Sequence, residues 1–327
     1  MGNERATGFI QPPEHLALRT AHLLVLGGPT AVGKTAAAIA VARRFDGEVV
    51  SADSRQVYRG MDIGTAKPTP EERAATPHHL IDVADPDDDF SLAQYVGLAR
   101  EAIGGILARG RLPILAGGTP LYLNAVAEGW RVPHAPPDPA LRAALEAEAA
   151  RDGLAALEAR LAAADPVAAA RSAGNLRRVV RALEVFLTTG VPMSAQEGKE
   201  PPPYRVRTII LELDRAALHA RIDARVERMV AAGLVEEVRG LLERGFSPAL
   251  PAMSGIGYAE IAAYLGGELT LPEAVERIKF NTHRYVRHQE TWFRRNRAAA
   301  RIDVARGDWL ERLMDEVGTV LAGSDEG

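Results

Sequence analysis

The chain has 327 residues, 47% of them hydrophobic, and a formal net charge of −4 at pH 7; that is apolar material for one large domain or two modest ones, and no globally basic nucleic-acid binder. It contains no cysteine, which excludes disulfides, thiolate catalysis and cysteine-ligated zinc. No signal-length apolar stretch opens the sequence, and no apolar run reaches the roughly eighteen residues of a membrane span, so a cytoplasmic protein without a membrane segment is expected.

Leu23-Leu24-Val25-Leu26 reads as a buried strand and Ala36 to Ala42 as a helix. Between them Gly28-Pro29-Thr30-Ala31-Val32-Gly33-Lys34-Thr35 matches G-x-x-x-x-G-K-T. Strand, Gly-rich turn and helix follow in the order a phosphate cradle needs: Gly28 and Gly33 let backbone N–H groups point inward, and the helix N-terminus adds a positive dipole end. Lys34 then reaches an outer phosphate and the Thr35 hydroxyl is placed to ligate Mg²⁺. A mere Gly-rich connector leaves Lys34 unexplained. The cradle alone does not name its phosphate, because a nucleoside triphosphate or any pyrophosphate fits such a ring of N–H groups.

Glu48-Val49-Val50-Ser51 is the next short strand, and Asp53-Ser54-Arg55-Gln56-Val57-Tyr58 follows at its carboxyl end, the edge where open parallel sheets bind ligands. A carboxylate there suits a general base, a magnesium ligand or a helix cap. Residues Met61 to Pro68 mix small, charged and apolar types without a period, as an ordered active-site loop does. His78-His79 lacks a third ligand at a sensible spacing and reads as a turn or capped segment. Asp82, after Leu80-Ile81, is the candidate metal-holding aspartate if the protein is an ATPase. The strand Leu112 to Ala116 ends instead in Gly117-Gly118-Thr119, which weakens that reading.

This alternation implies an α/β fold, a P-loop-type parallel sheet covered by helices. The Pro-rich stretches 132–139 and 201–203 bracket an Ala-, Leu-, Arg- and Glu-rich segment of high helix propensity. The expected organisation is an N-terminal extension (1–20), a catalytic core (21–131 and 205–327) and a helical insertion domain (132–204). Thr208 to Leu213 resumes the sheet, and only C-terminal helices are expected after it. One of these carries Leu218, Ile222, Val226 and Met229 on one face, with Arg221, Arg225 and Arg228 beside them. Basic clusters at Arg171, Arg177, Arg178 and Arg181, and between Arg277 and Arg297, are either nucleic-acid surfaces or solvated helix faces. Trp292 and Phe293 are core-boundary aromatics or base-stacking partners.

Taken together, Gly28 to Thr35, Asp53 to Tyr58, Asp62-Ile63-Gly64-Thr65-Ala66-Lys67-Pro68, Gly117-Gly118-Thr119, Arg181 to Val185, Gly257-Tyr258 and Gln289-Glu290-Thr291-Trp292-Phe293 resemble, in order, the bacterial-type tRNA dimethylallyltransferases, the tRNA isopentenyltransferase family. The likeness spans about residues 23 to 297. It implies transfer of the dimethylallyl group from dimethylallyl diphosphate to the exocyclic N6 amine of the adenosine 3′-adjacent to a tRNA anticodon. By the resemblance, Gly28 to Thr35 hold the diphosphate, Thr35 with Mg²⁺ as cofactor. Asp53 is the general base, Thr119 bonds between amine and diphosphate, and Lys34 and Arg225 hold the leaving group. Asp53, Ser54, Arg55, Gln56 and Thr119 contact tRNA near the target base. Arg142, Arg177, Arg178, Arg181 and the run Ser254, Gly255, Ile256, Gly257, Tyr258, Ala259 contact the anticodon stem-loop further out. A monomer is expected. A P-loop small-molecule or nucleoside kinase and a non-catalytic RNA-binding module are the alternative classes.

Overall fold

The computed structural model describes residues 21–133 and 135–322; the expected N-terminal extension and His134 of the Pro-rich boundary lie outside the described residues. In chain order the elements are β1 (His22–Gly27), α1 (Lys34–Arg44), β2 (Gly47–Ser51), α2 (Pro70–Ala75), β3 (His78–His79), α3 (Leu92–Ala108), β4 (Leu112–Gly117), α4 (Pro120–Ala127), β5 (Trp130–Arg131), α5 (Pro139–Asp152), α6 (Leu154–Ala164), α7 (Pro166–Ser172), α8 (Leu176–Thr189), α9 (Met193–Gln196), β6 (Gly198–Lys199), β7 (Arg205–Glu212), α10 (Arg215–Ala231), α11 (Leu234–Glu243), α12 (Tyr258–Leu265), α13 (Leu271–Arg295), β8 (Ala300–Asp303) and α14 (Trp309–Ala322). The described residues fall into two compact units: one holds 21–90, Val96–Ala127 and 203–322, the other Ser91–Tyr95 and the described part of Glu128–Pro202.

The first unit is built on a six-stranded sheet, order β3-β2-β4-β1-β7-β8, with every neighbouring pair parallel. β1 and β4 are buried at every position, as strands covered on both faces must be, and this explains their unbroken apolar runs. Leu24 and Leu26 of β1 pack with Val41 of α1 and with Leu218 and Ile222 of α10 in one core; each such side chain contributes about 1.5–3 kcal/mol on burial. From β1 the chain passes to one side of the sheet, and it returns on the other with β7. The crevice at that reversal opens beyond the carboxyl end of β1.

Two elements differ from the sequence reading. His78-His79 is no turn but the edge strand β3, paired with Val49 and Val50 of β2, with His79 Nε2 2.6 Å from the buried Glu48 carboxylate. The C-terminal part is not wholly helical, because β8 adds a further edge strand beside β7. Its sequence Ala-Arg-Ile-Asp has one deeply buried apolar residue, Ile302, and Arg301 is held by ion pairing to Glu212 of the neighbouring strand. An edge strand of this kind depends on its neighbour and has no apolar pattern to betray it.

Where β2 and β4 end, the two backbones close on each other. A Cβ on Gly117 would lie 2.1 Å from the Ala52 carbonyl oxygen. Ala52 N–H donates to Ala116 O at 2.8 Å and Thr119 N–H to Ala52 O at 3.1 Å, so Asp53 and Thr119 leave the sheet side by side. Gly117→Ala is expected to part them and to destabilise the fold by about 1–3 kcal/mol, the usual cost of overpacking, seen as a lower urea midpoint.

The second unit is a helical bundle of α5 to α8 with its own core of Leu145, Leu157, Leu161, Val179 and Leu183. Its helix starts follow local rules: Asp138, Asp165 and Asn175 cap α5, α7 and α8 by accepting from Leu141, Ala168 and Arg178 N–H, and Pro stands in the first turn of α5 and α7. A short antiparallel ribbon of β5 and β6, which propensity did not reveal, joins its two ends. The fully buried Glu184 ties the bundle: Arg142 Nε donates to it at 2.8 Å, Arg181 Nη1 at 2.6 Å and Asp138 N–H at 2.7 Å. Burial would raise its carboxyl pKa, but these donors outweigh it and hold the group below its ordinary value.

Candidate active site

The loop from Gly28 to Gly33 lies at the crevice beyond β1. Gly28 runs against the Leu211 carbonyl of β7, and Ala31 holds a left-handed φ of 67°, a strained conformation for a residue with a side chain. Gly33 precedes α1 at φ 109° with no side chain capping the helix, leaving first-turn N–H groups for an anion. Val32 is buried, and its N–H turns back to Pro29 O at 3.4 Å. Lys34 Nζ donates to Pro29 O at 2.8 Å. The Thr30 N–H is taken by Gln289 Oε1 at 3.0 Å, while Gln289 Nε2 donates to Gly118 O at 2.6 Å. Gln289 of α13, 1% exposed, therefore clips the cradle to the end of β4.

Asp53 does not cap a helix. Its Oδ1 accepts Arg55 N–H at 2.9 Å and Gln56 N–H at 3.4 Å, an Asx turn that fixes the carboxylate at the sheet edge. Thr119 Oγ1 accepts Ser54 N–H at 3.0 Å and donates to Ser54 Oγ at 3.3 Å. The general-base and alcohol candidates are thus neighbours in space, although 66 positions apart in the sequence (119 − 53).

A pocket of about 270 Å³ opens here, with Asp53, Thr30 and Arg225 on its polar side and Ile222, Val226 and Ile278 on its apolar side. Arg225 makes no ion pair among the described residues; burial draws its pKa below the usual guanidinium value, the Asp53 charge resists this, and Arg228 adds to it. Burial likewise draws Lys34 from 10.5 down to about 7, against the pull of Asp53 and with the push of Arg225. Two basic groups, one in the cradle and one on the pocket wall, thus feel a single carboxylate, an arrangement short of negative charge. The third expected arginine of α10, Arg221, instead reaches Val32 O at 3.4 Å.

The remaining sequence candidates divide. Arg55 spans to the turn before α12, donating to Pro251 O at 2.6 Å and Ala252 O at 3.1 Å. Gln56 faces inward, its amide on Thr65 O and Ala66 O and its carbonyl on Ser51 Oγ, so it braces the 62–67 loop. Tyr258 is a core residue, 1% exposed, with its hydroxyl on Glu237 Oε1 at 2.6 Å; the same carboxylate accepts N–H groups of Asp62, Ile63 and Gly64. Gly255 and Gly257 are buried and Ile256 half-buried, while Ser254 and Ala259 are exposed. In the helical unit Arg142 and Arg181 are engaged by Glu184, whereas Arg177 and Arg178 are exposed and carry no ion pair among the described residues. Asp82 is consumed by Lys67 at 2.5 Å and Arg73 at 2.8 Å. Phe293 is buried and Trp292 partly exposed, with the Arg295 guanidinium 5.3 Å from its ring centroid.

Sequence reasoning gave no role to Tyr285 and Gln289. Tyr285 lines the pocket, where Thr119 and Gln289 act on its phenol. Their signal was the spacing 285, 289, 293, which puts all three on one face of a helix.

Comparison with known proteins agrees with this geometry. Residues 56–296 match the family model described as IPP transferase, and residues 21–84 that described as isopentenyl transferase. A tRNA dimethylallyltransferase of Roseiflexus castenholzii is 61% identical over 84% of this chain and 90% of its own, and one of Thermomicrobium roseum is 58% identical over 93% of each. The crystal structure of the full-length tRNA isopentenylpyrophosphate transferase of Bacillus halodurans, 41% identical, covers 93% of this chain and 98% of its own at a TM-score of 0.69. A eukaryotic dimethylallyltransferase acting on tRNA, 25% identical, covers 93% of this chain and 80% of its own at 0.76. A family model spanning most of the chain and relatives above half identity over nearly its whole length leave one conclusion: the chain belongs to the tRNA dimethylallyltransferase family.

Proposed function

We propose that this chain transfers the dimethylallyl group of dimethylallyl diphosphate to the N6 amine of the adenosine 3′-adjacent to a tRNA anticodon, releasing diphosphate. The observation that carries the reading is that two basic groups, Lys34 of the cradle and Arg225 of the pocket wall, both feel the charge of one carboxylate, Asp53, at a pocket with an apolar side. A diphosphate supplies the missing negative charge, the apolar wall accepts the five-carbon tail, and Asp53 faces the attacking amine.

In the reaction the allylic C–O bond breaks and its electron pair leaves on the diphosphate, whose growing charge meets Lys34, Arg225 and the N–H groups of the cradle. The amine lone pair forms the new C–N bond and its proton passes to Asp53. No phosphorus is attacked, so an aspartate that positions metal for phosphoryl transfer is superfluous, in keeping with the engagement of Asp82 by Lys67 and Arg73. No group of three His, Cys, Asp or Glu side chains among the described residues could hold a metal alone. That suits Mg²⁺ arriving on the diphosphate with its waters and taking Thr35 as protein ligand. When bound, it neutralises part of the leaving group's charge. We read the protein as a cytoplasmic monomer.

The target base must leave its stack to reach this pocket. Arg177 and Arg178 of α8, with the exposed Ser254 and Ala259 of the other unit, are the surfaces we assign to the anticodon stem-loop. Replacing Arg177 and Arg178 with Ala is expected to weaken stem-loop binding and to reduce the slope of log K against log salt by about 0.7–0.9 for each phosphate left without its arginine. Donor binding should not change; an unaltered slope would leave α8 a solvated face. The activity itself is tested by incubating the protein with Mg²⁺, unmodified tRNA and labelled dimethylallyl diphosphate, then digesting and identifying the nucleoside. Transfer of phosphate from ATP to a small acceptor, with no prenylated adenosine, would establish the kinase instead.

A further inference from the structure

A continuous set of hydrogen bonds joins the cradle to the base-side loop. It runs from Thr30 N–H to Gln289, from Gln289 to Gly118 O, and from Thr119 to Ser54 N–H. The Tyr285 phenol lies close enough to this set for the Gln289 and Thr119 side chains to act on its charge. Each of those neighbours is already engaged. Gln289 Oε1 accepts from Thr30, and Nε2 has given one N–H to Gly118, so its remaining N–H is a donor toward the phenol oxygen. Thr119 Oγ1 accepts from Ser54 N–H and donates to Ser54 Oγ. Gln289 Oε1 and Thr119 Oγ1 each keep one lone pair, so the phenol can both accept and donate within the network, and its proton is free to turn to a ligand that offers an acceptor in the pocket. The tyrosine lines the same pocket as Asp53.

Burial and the Asp53 charge push the Tyr285 pKa up to about 12, against the Thr119 and Gln289 bonds. The phenol thus stays protonated at neutral pH, as a donor opposite a carboxylate that only accepts. A flipped adenine offers, on its Watson–Crick edge, an amine donor next to a ring-nitrogen acceptor, N1. Guanine offers the reverse pairing, a carbonyl acceptor next to an N–H donor, and would set its carbonyl against the acceptor-only Asp53 carboxylate while leaving the phenolic proton without N1 as its acceptor.

Resting on the reading of the reaction above, we infer that Tyr285 is a catalytic and specificity-determining residue that donates its phenolic proton in a hydrogen bond to N1 of the target adenine while Asp53 takes the amine. The bond fixes the base in the plane where its amine faces the donor carbon, and together with the acceptor-only Asp53 it sets adenine apart from guanine. Reading a flipped base by its Watson–Crick edge is how enzymes acting on extruded nucleotides obtain selectivity.

The test is a cycle between protein and RNA. Wild type and Tyr285→Phe are compared in single-turnover reactions on two synthetic anticodon stem-loops, one with adenosine and one with 1-deazaadenosine at the target position, which lacks the N1 acceptor. Tyr285→Phe keeps the ring, so folding and the donor dissociation constant should stay within about twofold. On adenosine its rate should fall about tenfold, the scale of one lost neutral hydrogen bond. On the 1-deaza RNA, Tyr285→Phe and wild type should react equally. If Tyr285→Phe matches wild type on adenosine, or if it loses the same factor on both RNAs, the bond to N1 does not exist and the inference falls. A wild type that prenylates neither RNA would overturn the underlying reading, an outcome distinguishable from both.

Discussion

Asp53→Asn is expected to bind donor and stem-loop as the wild type does and to lose about 10²–10⁴-fold of the single-turnover rate, the range for a positioned general base. The amide keeps the shape of the carboxylate, and its oxygen still accepts from Arg55 and Gln56 N–H as Asp53 Oδ1 does, so the Asx turn survives. What is lost is the proton acceptor. An adenine amine is a weak nucleophile because its lone pair is spread into the ring, and its proton must leave as the C–N bond forms. The substitution also removes the only carboxylate among the groups that shift Lys34 and Arg225, so donor affinity should hold or rise slightly. Rapid quench on a preformed ternary complex reads the chemical step alone. A rate within a few-fold of wild type would reduce Asp53 to a turn-forming residue.

Lys34→Ala should lower turnover by about 10²–10³-fold, comparable to removing one preorganised charge-stabilising donor, and should weaken donor binding while leaving stem-loop affinity nearly unchanged. Equal loss of RNA affinity would place Lys34 on the wrong ligand. A pH signature goes with it. Because burial lowers the Lys34 pKa to about 7, the ligand-free side chain is mostly neutral above that pH, and an incoming diphosphate restores the charge by drawing in a proton. Calorimetry in two buffers at pH 8 should therefore show more proton uptake for wild type than for Lys34→Ala. The difference should fade as the pH falls below 7, where Lys34 already holds its proton.

The site was legible in the sequence wherever a few consecutive residues suffice to build it. The cradle is one strand end, one turn and one helix start, so Gly28 to Thr35 and the placement of Lys34 and Thr35 could be read directly. Asp53 and Thr119 could be placed because each follows an apolar strand, and carboxyl ends of parallel strands gather at one edge. The tRNA surface was less legible. Charge and exposure distinguish a phosphate-binding arginine from a structural one, and only burial of Glu184 separates Arg142 and Arg181 from Arg177 and Arg178.

By itself, then, the sequence determined the phosphate cradle, the strands β1, β2, β4 and β7, the Arg225 helix and the order of the family's motifs, because these depend on apolar runs, period and backbone freedom within short windows. Only the tertiary structure decided that Gln289 clips the cradle across 259 positions of sequence, that Tyr285 stands beside Thr119, that Gln56 and Tyr258 face inward, and that β3 and β8 complete the sheet. Each of these rests on a partner from a distant segment. An edge strand takes its hydrogen bonds from its neighbour, and a polar side chain takes its role from whatever donor or acceptor packing brings to it, neither of which is encoded in the residues adjacent along the chain.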